Sequence, residues 1–97
     1  MLENEYQAGL IKRIKERFPD SLILKNDPNY IQGVPDLSIF TPNGWAMLEV
    51  KKGSKAPHRP NQDYYVSSLG EWSFTSFIFP ENEEEVLDAM ERALQSS

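Results

Sequence analysis

The stretch Gly33-Val-Pro-Asp-Leu-Ser-Ile-Phe-Thr-Pro-Asn-Gly-Trp-Ala-Met-Leu-Glu-Val-Lys51 predicts a β-hairpin that carries charged side chains. Residues 37–40 and 45–50 are apolar runs typical of strands, and the residues between them are of the kinds that reverse a chain. If residues 41–44 form the loop, Phe40 faces Trp45, and the same count places Asp36 opposite Glu49. Two carboxylates then share one face of the hairpin.

Strand parity brings a third charge to that face. Side chains alternate along a strand, so Glu49 and Lys51 project to the same side. Opposed residues have Cβ atoms roughly 5 Å apart, and like charges at that distance repel unless a cation or a lysine neutralises them. A two-residue turn at Asn43-Gly44 would place Asp36 opposite Lys51 on the same face. A three-residue loop would break the strand parity that places Asp36 on the same face as Glu49 and Lys51.

These residues carry a family resemblance. Pro35-Asp36, twelve intervening residues and Glu49-Val50-Lys51 resemble the Asp…Glu-x-Lys signature of the PD-(D/E)XK nuclease superfamily. The preceding Gly33-Val34, the basic turn after Lys51 and a glutamine at position 62 resemble the VRR-NUC branch, which is similar to archaeal Holliday-junction resolvases. The resemblance extends from Glu3 to the last helix. It implies a restriction-endonuclease-like fold of the α/β (α+β) class, with an α-β-β-β-α-β core and a central mixed sheet flanked by helices.

Hydrophobic periodicity and turn residues independently give the same order of elements. An apolar stripe predicts a first helix, and Pro60 and Gly70 bracket a second helix with Tyr65, Val66 and Leu69 buried. Asn82 is predicted to cap the last helix. The predicted elements are a helix from Leu2 to about Phe18, strands at 22–25, 37–40 and 45–50, a helix at 60–69, a strand at 72–79 with core phenylalanines, and a helix with Val86, Leu87, Met90 and Leu94 facing inward.

Composition sets bounds on the function. A chain of 97 residues, 39% hydrophobic and 26% charged, is ordinary for one soluble globular domain, here residues 1–97. The absence of cysteine excludes disulfides and thiolate zinc sites. The N-terminal residues lack the pattern of a signal peptide, and no apolar run is long enough to span a membrane. We therefore expect a cytoplasmic protein with no membrane partner.

The distribution of charge matters more than the net charge of −5. Residues 51–59 contain no acid, whereas residues 81–91 contain six. If the acidic segment lies on the far side of the molecule, the basic segment can contact a phosphate backbone. Such a loop is otherwise an ordinary surface connector, with His58 as a surface histidine. The residues predicted to contact nucleic acid are Lys52, Lys55, His58 and Arg59.

The resemblance implies two further site residues. A glutamate on the first helix of the family reaches the metal site, and Glu3 matches its spacing better than Glu5, which projects away from the apolar stripe. The alternative for Glu3 is a solvated glutamate at a frayed terminus. Gln62 matches a family glutamine that points toward the site. Its alternative is an ordinary exposed helix residue.

The predicted chemistry depends on a divalent ion. Oxygen ligands without His or Cys favour Mg²⁺, with Mn²⁺ as a substitute, and no motif for an organic cofactor is present. Asp36 and Glu49 would bind the ion with the Val50 carbonyl, and Glu3 would join directly or through water. Lys51 would orient or deprotonate a water molecule, or neutralise charge that builds on the phosphorus centre.

The predicted function is a metal-dependent endonuclease that hydrolyses DNA phosphodiester bonds. Branched or junction DNA, as in repair or recombination, is one candidate substrate, and the sequence leaves the choice between duplex, branched and single-stranded DNA open. The alternative is a catalytically inactive module of the same fold that binds DNA or another protein. We also expect a homodimer, because cutting both strands of a duplex or a junction needs two sites. Trp45 and Trp72 are the candidates for the dimer surface.

Overall fold

The computed structural model describes residues 1–95, which form three helices and four strands in the predicted order. The ends of the elements differ from the prediction by a residue or two, as is usual for frayed termini. No helix within residues 1–95 is both long enough and apolar enough to cross a membrane. The elements are α1 (Glu3–Arg17), β1 (Leu22–Lys25), β2 (Leu37–Thr41), β3 (Gly44–Val50), α2 (Pro60–Gly70), β4 (Phe74–Ile78) and α3 (Glu83–Gln95).

The four strands form one mixed sheet in the order β1-β2-β3-β4. The first two pairings are antiparallel, and β4 lies parallel to β3. Parallel neighbours require a crossover connection, and α2 supplies it. The predicted α+β class, with a central mixed sheet and flanking helices, is confirmed.

The register of the hairpin is the predicted one. Phe40 pairs with Trp45, and the ladder continues to Thr41 and Gly44, so the turn is shorter than expected. The Thr41 hydroxyl tightens this turn by accepting the N–H of Asn43 at 3.2 Å and donating to the carbonyl of Gly44 at 3.1 Å. The pairing therefore keeps the parity on which the placement of Asp36 and Glu49 depends.

The hydrophobic core lies on one face of the sheet, under α1 and α3. Burial of apolar side chains stabilises the fold, and both helices turn an apolar face toward the strands. The predicted inward residues of α3 are all buried. The core consists of Tyr6, Leu10, Ile14, Leu37, Ile39, Ala46, Leu48, Val50, Ile78, Val86, Leu87, Met90 and Leu94.

Helix α2 lies on the opposite face, over β3 and β4. Within Pro60–Gly70 no residue is buried, so the prediction that Tyr65, Val66 and Leu69 form a buried stripe is wrong in degree. A single helix over two strands leaves its flanks in contact with water, and these side chains are half-buried. Leu22, Leu24 and Phe40 remain exposed on the uncovered part of this face.

Ion pairs join α1 to α3. Arg13 donates to both oxygens of Glu83 at 2.7 and 2.9 Å, and the Tyr6 hydroxyl donates to the same carboxylate at 2.8 Å. The Arg13 guanidinium lowers the pKa of Glu83. Arg17 binds Asp88 and Glu91 in a second cluster. The acidic helix therefore lies on the sheet face opposite α2, with part of its charge neutralised.

The predicted cap of α3 differs in detail. Asn82 precedes the helix and its carbonyl accepts the N–H of Val86 at 2.9 Å. Its side chain instead turns back to β4, where it accepts the N–H of Phe79 at 2.8 Å and donates to the carbonyl of Phe77 at 3.3 Å. Asn82 therefore fixes the turn between β4 and α3, because the end of the strand offers it partners nearby.

Candidate active site

Two carboxylates meet where the hairpin strands begin and end. Leu37 pairs with Leu48, so Asp36 and Glu49 are the next residues along the two strands. Both lie on the sheet face that α2 partly covers, and Asp36 accepts the backbone N–H of Val50 on Oδ2 at 2.9 Å. The sequence predicts this proximity correctly, because the turn fixes the register and the register fixes the face.

The protonation of this pair is strongly perturbed. Burial, followed by the neighbouring charge of Asp36, raises the pKa of Glu49 from 4.5 to about 8. Burial likewise raises the pKa of Asp36, although the N–H of Val50 opposes the shift. Glu49 is only 3% exposed. Two carboxylates cannot both be ionised here without a compensating positive charge, so the pair is suited to a cation.

Lys51 supplies one nearby positive charge, and it is 5% exposed. Its Nζ lies 3.9 Å from Glu49 Oε2 and donates to the carbonyl of Pro57 at 3.0 Å. It also donates to Gln62 Oε1 at 2.7 Å. These bonds hold the ammonium group beside the two carboxylates.

Gln62 bridges the lysine and the glutamate. Its Nε2 donates to Glu49 Oε2 at 2.9 Å, while its Oε1 accepts from Lys51 and from the backbone N–H of Arg59. Within residues 1–95 every buried polar side-chain atom has a hydrogen-bond partner. Gln62 therefore points toward the site, as predicted, and is not an ordinary exposed helix residue.

Glu3 lies near this cluster but outside its buried part. It is the first residue of α1, is exposed, and accepts the backbone N–H of Lys52 on Oε2 at 3.1 Å. Its charge contributes to the raised pKa of Asp36. Glu5 instead borders a different cavity with Tyr6 and Arg13. Of the two glutamates, Glu3 is the one on the side of the carboxylate pair.

The ligand set is small. Across the described chain, Met1 to Gln95, no three His, Cys, Asp or Glu side chains cluster closely enough to hold a metal ion together. Val50, whose carbonyl was predicted as a ligand, contributes its N–H to Asp36. The pair Asp36 and Glu49 is thus the acidic centre of the site, with Glu3 at its margin.

A cleft of about 560 Å³ opens onto the two carboxylates. One wall is the loop between β1 and β2, and the other is the beginning of α2. Gly33 permits their close approach, because its φ of +88° and its contact with Asn61 exclude a side chain. Besides Asp36 and Glu49, the cleft is lined by Pro28, Asn29, Gln32, Gly33, Val34, Arg59, Pro60, Asn61 and Gln62.

The residues of the predicted basic segment do not line one common surface. Arg59 borders the cleft, whereas Lys52 and Lys55 line a separate cavity with Glu81. Glu81 anchors that part of the loop by accepting the backbone N–H and the hydroxyl of Ser54 at 3.3 and 3.2 Å. All the predicted basic residues are exposed, but tertiary contacts direct them to different places.

His58 is held more firmly than a surface histidine. Its ring stacks on Phe77 with centroids 3.9 Å apart, and Nδ1 lies 3.1 Å from Asp63 Oδ1. Phe77 pairs with Glu49 across the sheet. The prediction that this phenylalanine belongs to the core is wrong, because strand parity turns it to the face of α2, where it supports the loop beside the site.

Sequence reasoning missed the loop that forms the first wall. Asn26 joins the two ends of this loop. Its N–H donates to the carbonyl of Asp36 at 2.8 Å, and its Nδ2 donates to the carbonyl of Pro35 at 2.9 Å and to Ser38 Oγ at 2.8 Å. The available signals were the asparagine at the end of a strand and the glycine before Pro35. Neither indicated that the loop faces the carboxylates.

Comparison with known proteins finds a similar fold among solved structures. The sequence matches no family model and no curated protein. Among solved structures, the fold is similar to one described as a VRR_NUC domain, with a TM-score of 0.64 and 25% sequence identity over 87% of this chain and 92% of that chain. The chain has a fold similar to that of a VRR_NUC domain. This fold brings Asp36, Glu49, Lys51 and Gln62 together in this chain.

Proposed function

We propose that this VRR_NUC-like domain is a metal-dependent endonuclease that hydrolyses DNA phosphodiester bonds. The observation that carries the proposal is the pairing of half-buried Asp36 with buried Glu49, with the ammonium group of Lys51 held 3.9 Å from Glu49. Burying such charges destabilises a fold unless they have a use or a partner, and perturbed carboxylates in a cleft are typical of active sites. The nuclease fold supports the assignment.

The donor set fits a hard divalent cation. Carboxylate oxygens are the ligands that Mg²⁺ and Mn²⁺ prefer, and a cation would relieve the repulsion that raises the pKa of Glu49. We propose Asp36 and Glu49 as the protein ligands, with the Val50 carbonyl and Glu3 as the further oxygens. When bound, the ion would polarise the phosphoryl group and acidify a water molecule.

The remaining residues position charge around the scissile phosphate. Lys51 carries a positive charge with a fixed direction, which suits stabilisation of a phosphoryl group that gains negative charge. Gln62 hydrogen-bonds to both this ammonium group and the Glu49 carboxylate and so holds them in fixed positions relative to each other. Arg59, at the rim of the cleft, is placed to contact the DNA backbone.

The deciding experiment compares cleavage of linear, nicked, single-stranded and four-way-junction DNA with Mg²⁺, with Mn²⁺ and with EDTA. Lys51→Met, Asp36→Asn and Glu49→Gln keep the side-chain size and should abolish cleavage while circular dichroism shows a folded protein. Lys25→Met, on an exposed position of β1, is the matched control and should cleave normally. Cleavage by Lys51→Met at the wild-type rate would show that the assignment is wrong.

An inactive DNA-binding or protein-interaction module is the second candidate. The net charge of −5 and the separation of Arg59 from Lys52 and Lys55 favour it. Isothermal titration with Mn²⁺ distinguishes the candidates. A nuclease binds the ion and loses that binding in Glu49→Gln, whereas an inactive module shows neither effect.

We also propose that two copies associate through the open part of the sheet. Leu22, Phe40 and Trp45 form a row across β1, β2 and β3 on the face with Glu49. Leu22 and Phe40 are exposed and Trp45 is half-buried, so this row is the candidate surface. The other predicted tryptophan, Trp72, is 74% exposed but lies outside the row. A monomeric mass by light scattering at micromolar concentration would refute this, and Phe40→Lys should convert a dimer to monomers.

A further inference from the structure

The carbonyl of Pro57 is one of two acceptors that hold the ammonium group of Lys51, at 3.0 Å. The other acceptor is Gln62 Oε1, at 2.7 Å, in the first turn of α2. An ammonium group has three N–H donors, so two fixed acceptors determine where the third donor points. The direction in which Lys51 presents its charge therefore depends on a carbonyl that belongs to neither a helix nor a strand.

His58, the residue directly after that carbonyl, is held by two different elements. Its ring stacks on Phe77 of β4, with ring centroids 3.9 Å apart and an angle of 13° between the planes. Its Nδ1 lies 3.1 Å from Oδ1 of Asp63 on α2. The stack fixes the plane of the ring, and the contact with Asp63 fixes its rotation within that plane.

The position of the ring is transmitted to the Pro57 oxygen through the backbone. The carbonyl of Pro57 and the nitrogen of His58 belong to one peptide bond, and the atoms of a peptide bond lie in a rigid plane. Pro57 and Pro60 further restrict the rotation of the chain on either side, because the proline ring fixes φ. An anchored His58 therefore holds the carbonyl, whereas a free His58 lets that plane turn.

We propose that His58 is a positioning residue, which through Asp63 and Phe77 holds the Pro57 carbonyl in place to direct Lys51 toward the carboxylate pair. Its effect on cleavage rests on the proposed function, while its effect on Lys51 does not. The alternative is the contact with nucleic acid predicted from the sequence. The structure favours positioning, because one face and one nitrogen of the ring already contact Phe77 and Asp63.

A double-mutant cycle tests the role in cleavage. His58→Phe keeps an aromatic ring for the stack and removes the bond to Asp63, and Asp63→Ala removes the same bond from the other side. Each should lower kcat about tenfold and leave KM and the salt slope of DNA binding unchanged. The double variant should be no slower than either single variant, because both remove one interaction.

Two further variants serve as controls for the cycle. Asp63→Asn keeps a hydrogen-bonding partner for Nδ1 and removes the negative charge from the start of α2, and it should keep most of the wild-type kcat. Glu71→Ala, at an exposed position directly after the same helix, should cleave normally. If His58→Phe does not fold, Asp63→Ala carries the test alone, because the Asp63 side chain is 59% exposed.

Lysine labelling in metal-free protein measures the placement of Lys51 without cleavage. Lys51 is 5% exposed, so acetic anhydride should modify it slowly in the wild-type protein. His58→Phe and Asp63→Ala should raise its labelling rate several-fold, because an ammonium group that loses a fixed acceptor becomes accessible. Mass spectrometry measures the rate, with exposed Lys25 as the internal reference.

Three outcomes would overturn the inference. A raised KM with an unchanged kcat would assign His58 to DNA contact. Unchanged kcat and unchanged labelling of Lys51 would show that the Pro57 carbonyl needs no anchor. A lower melting temperature with wild-type kcat and wild-type labelling would show a purely structural role. Wild-type protein that never cleaves refutes the proposed function instead, and the labelling then decides the placement of Lys51.

Discussion

A Cβ atom added to Gly33 would lie 2.4 Å from the Cβ of Asn61 and 2.8 Å from its backbone carbon. The two walls of the cleft that holds Asp36 and Glu49 are thus in contact at a position that has no space for a side chain. Gly33 also has a φ of +88°, which other residues rarely adopt.

Gly33→Ala should therefore lower the free energy of unfolding by about 2 kcal/mol and move the loop away from α2. Chemical denaturation measures the first effect, and weakened metal binding reports the second. Gly70→Ala is the control, since nothing lies within 4 Å of its added Cβ and alanine favours a helix. If Gly33→Ala is as stable as Gly70→Ala, the packing of this loop on α2 is not the described one.

The pH dependence of stability follows from Glu49. Its pKa is about 8 in the folded protein, against an ordinary value of 4.5 in an unfolded chain. Between these values the folded state binds more protons, so the metal-free protein should lose stability as the pH rises from about 5 to about 8. The raised pKa of Asp36 acts in the same direction.

Thermal unfolding in EDTA across that range measures this slope. Glu49→Gln should flatten it, and Glu85→Gln, at an exposed carboxylate of α3, should leave it unchanged. Excess Mg²⁺ should reverse the loss at pH 8, because a cation favours the ionised pair. A melting temperature that rises with pH in EDTA would contradict the described pair.

Gln62→Ala tests the bridge between lysine and glutamate. Loss of the donor to the Glu49 carboxylate should raise its pKa further, and Lys51 should lose one of its hydrogen-bond acceptors. We expect cleavage to fall by about ten- to a hundredfold, with a pH profile displaced to higher pH. Ser67→Ala, exposed on the same helix, is the control. An unchanged pH profile would show that Gln62 does not affect the pKa of Glu49.

Arg59 and Lys55 should differ in their effects on DNA binding. Arg59 borders the cleft, and Lys55 lines the separate cavity beside Glu81. Arg59→Ala should raise KM several-fold and reduce the salt slope of binding by about one unit, while Lys55→Ala should have a smaller effect. Filter binding at several salt concentrations measures both. Equal effects would place the DNA path over the whole basic segment.

The sequence was most informative where one local rule fixed the geometry. The turn residues set the pairing of Phe40 with Trp45, and strand alternation then placed Glu49 and Lys51 on one face. Parity is a property of the backbone, so it holds whatever packs around it. The placement of the carboxylate pair could therefore be predicted without knowledge of the rest of the chain.

The positions of the loop residues could not be predicted in this way. The basic residues after Lys51 diverge because Ser54 is bound by Glu81 and His58 is stacked on Phe77, and both partners are distant in sequence. Glu3 was expected near the centre of the apolar stripe, yet it is exposed, because the first residue of a helix has no preceding turn to pack against. Such contacts depend on the tertiary fold, which periodicity does not contain.

Gln62 also closes the first turn of α2, since the same Oε1 atom that accepts from Lys51 accepts the N–H of Arg59 at 3.0 Å. The start of α2 and the ammonium group of Lys51 therefore share one acceptor, and order at either is thermodynamically linked to order at the other. A ligand that fixes Lys51 should slow amide hydrogen exchange in α2. By reciprocity, substitutions that loosen this helix should weaken binding of that ligand even where they do not contact it.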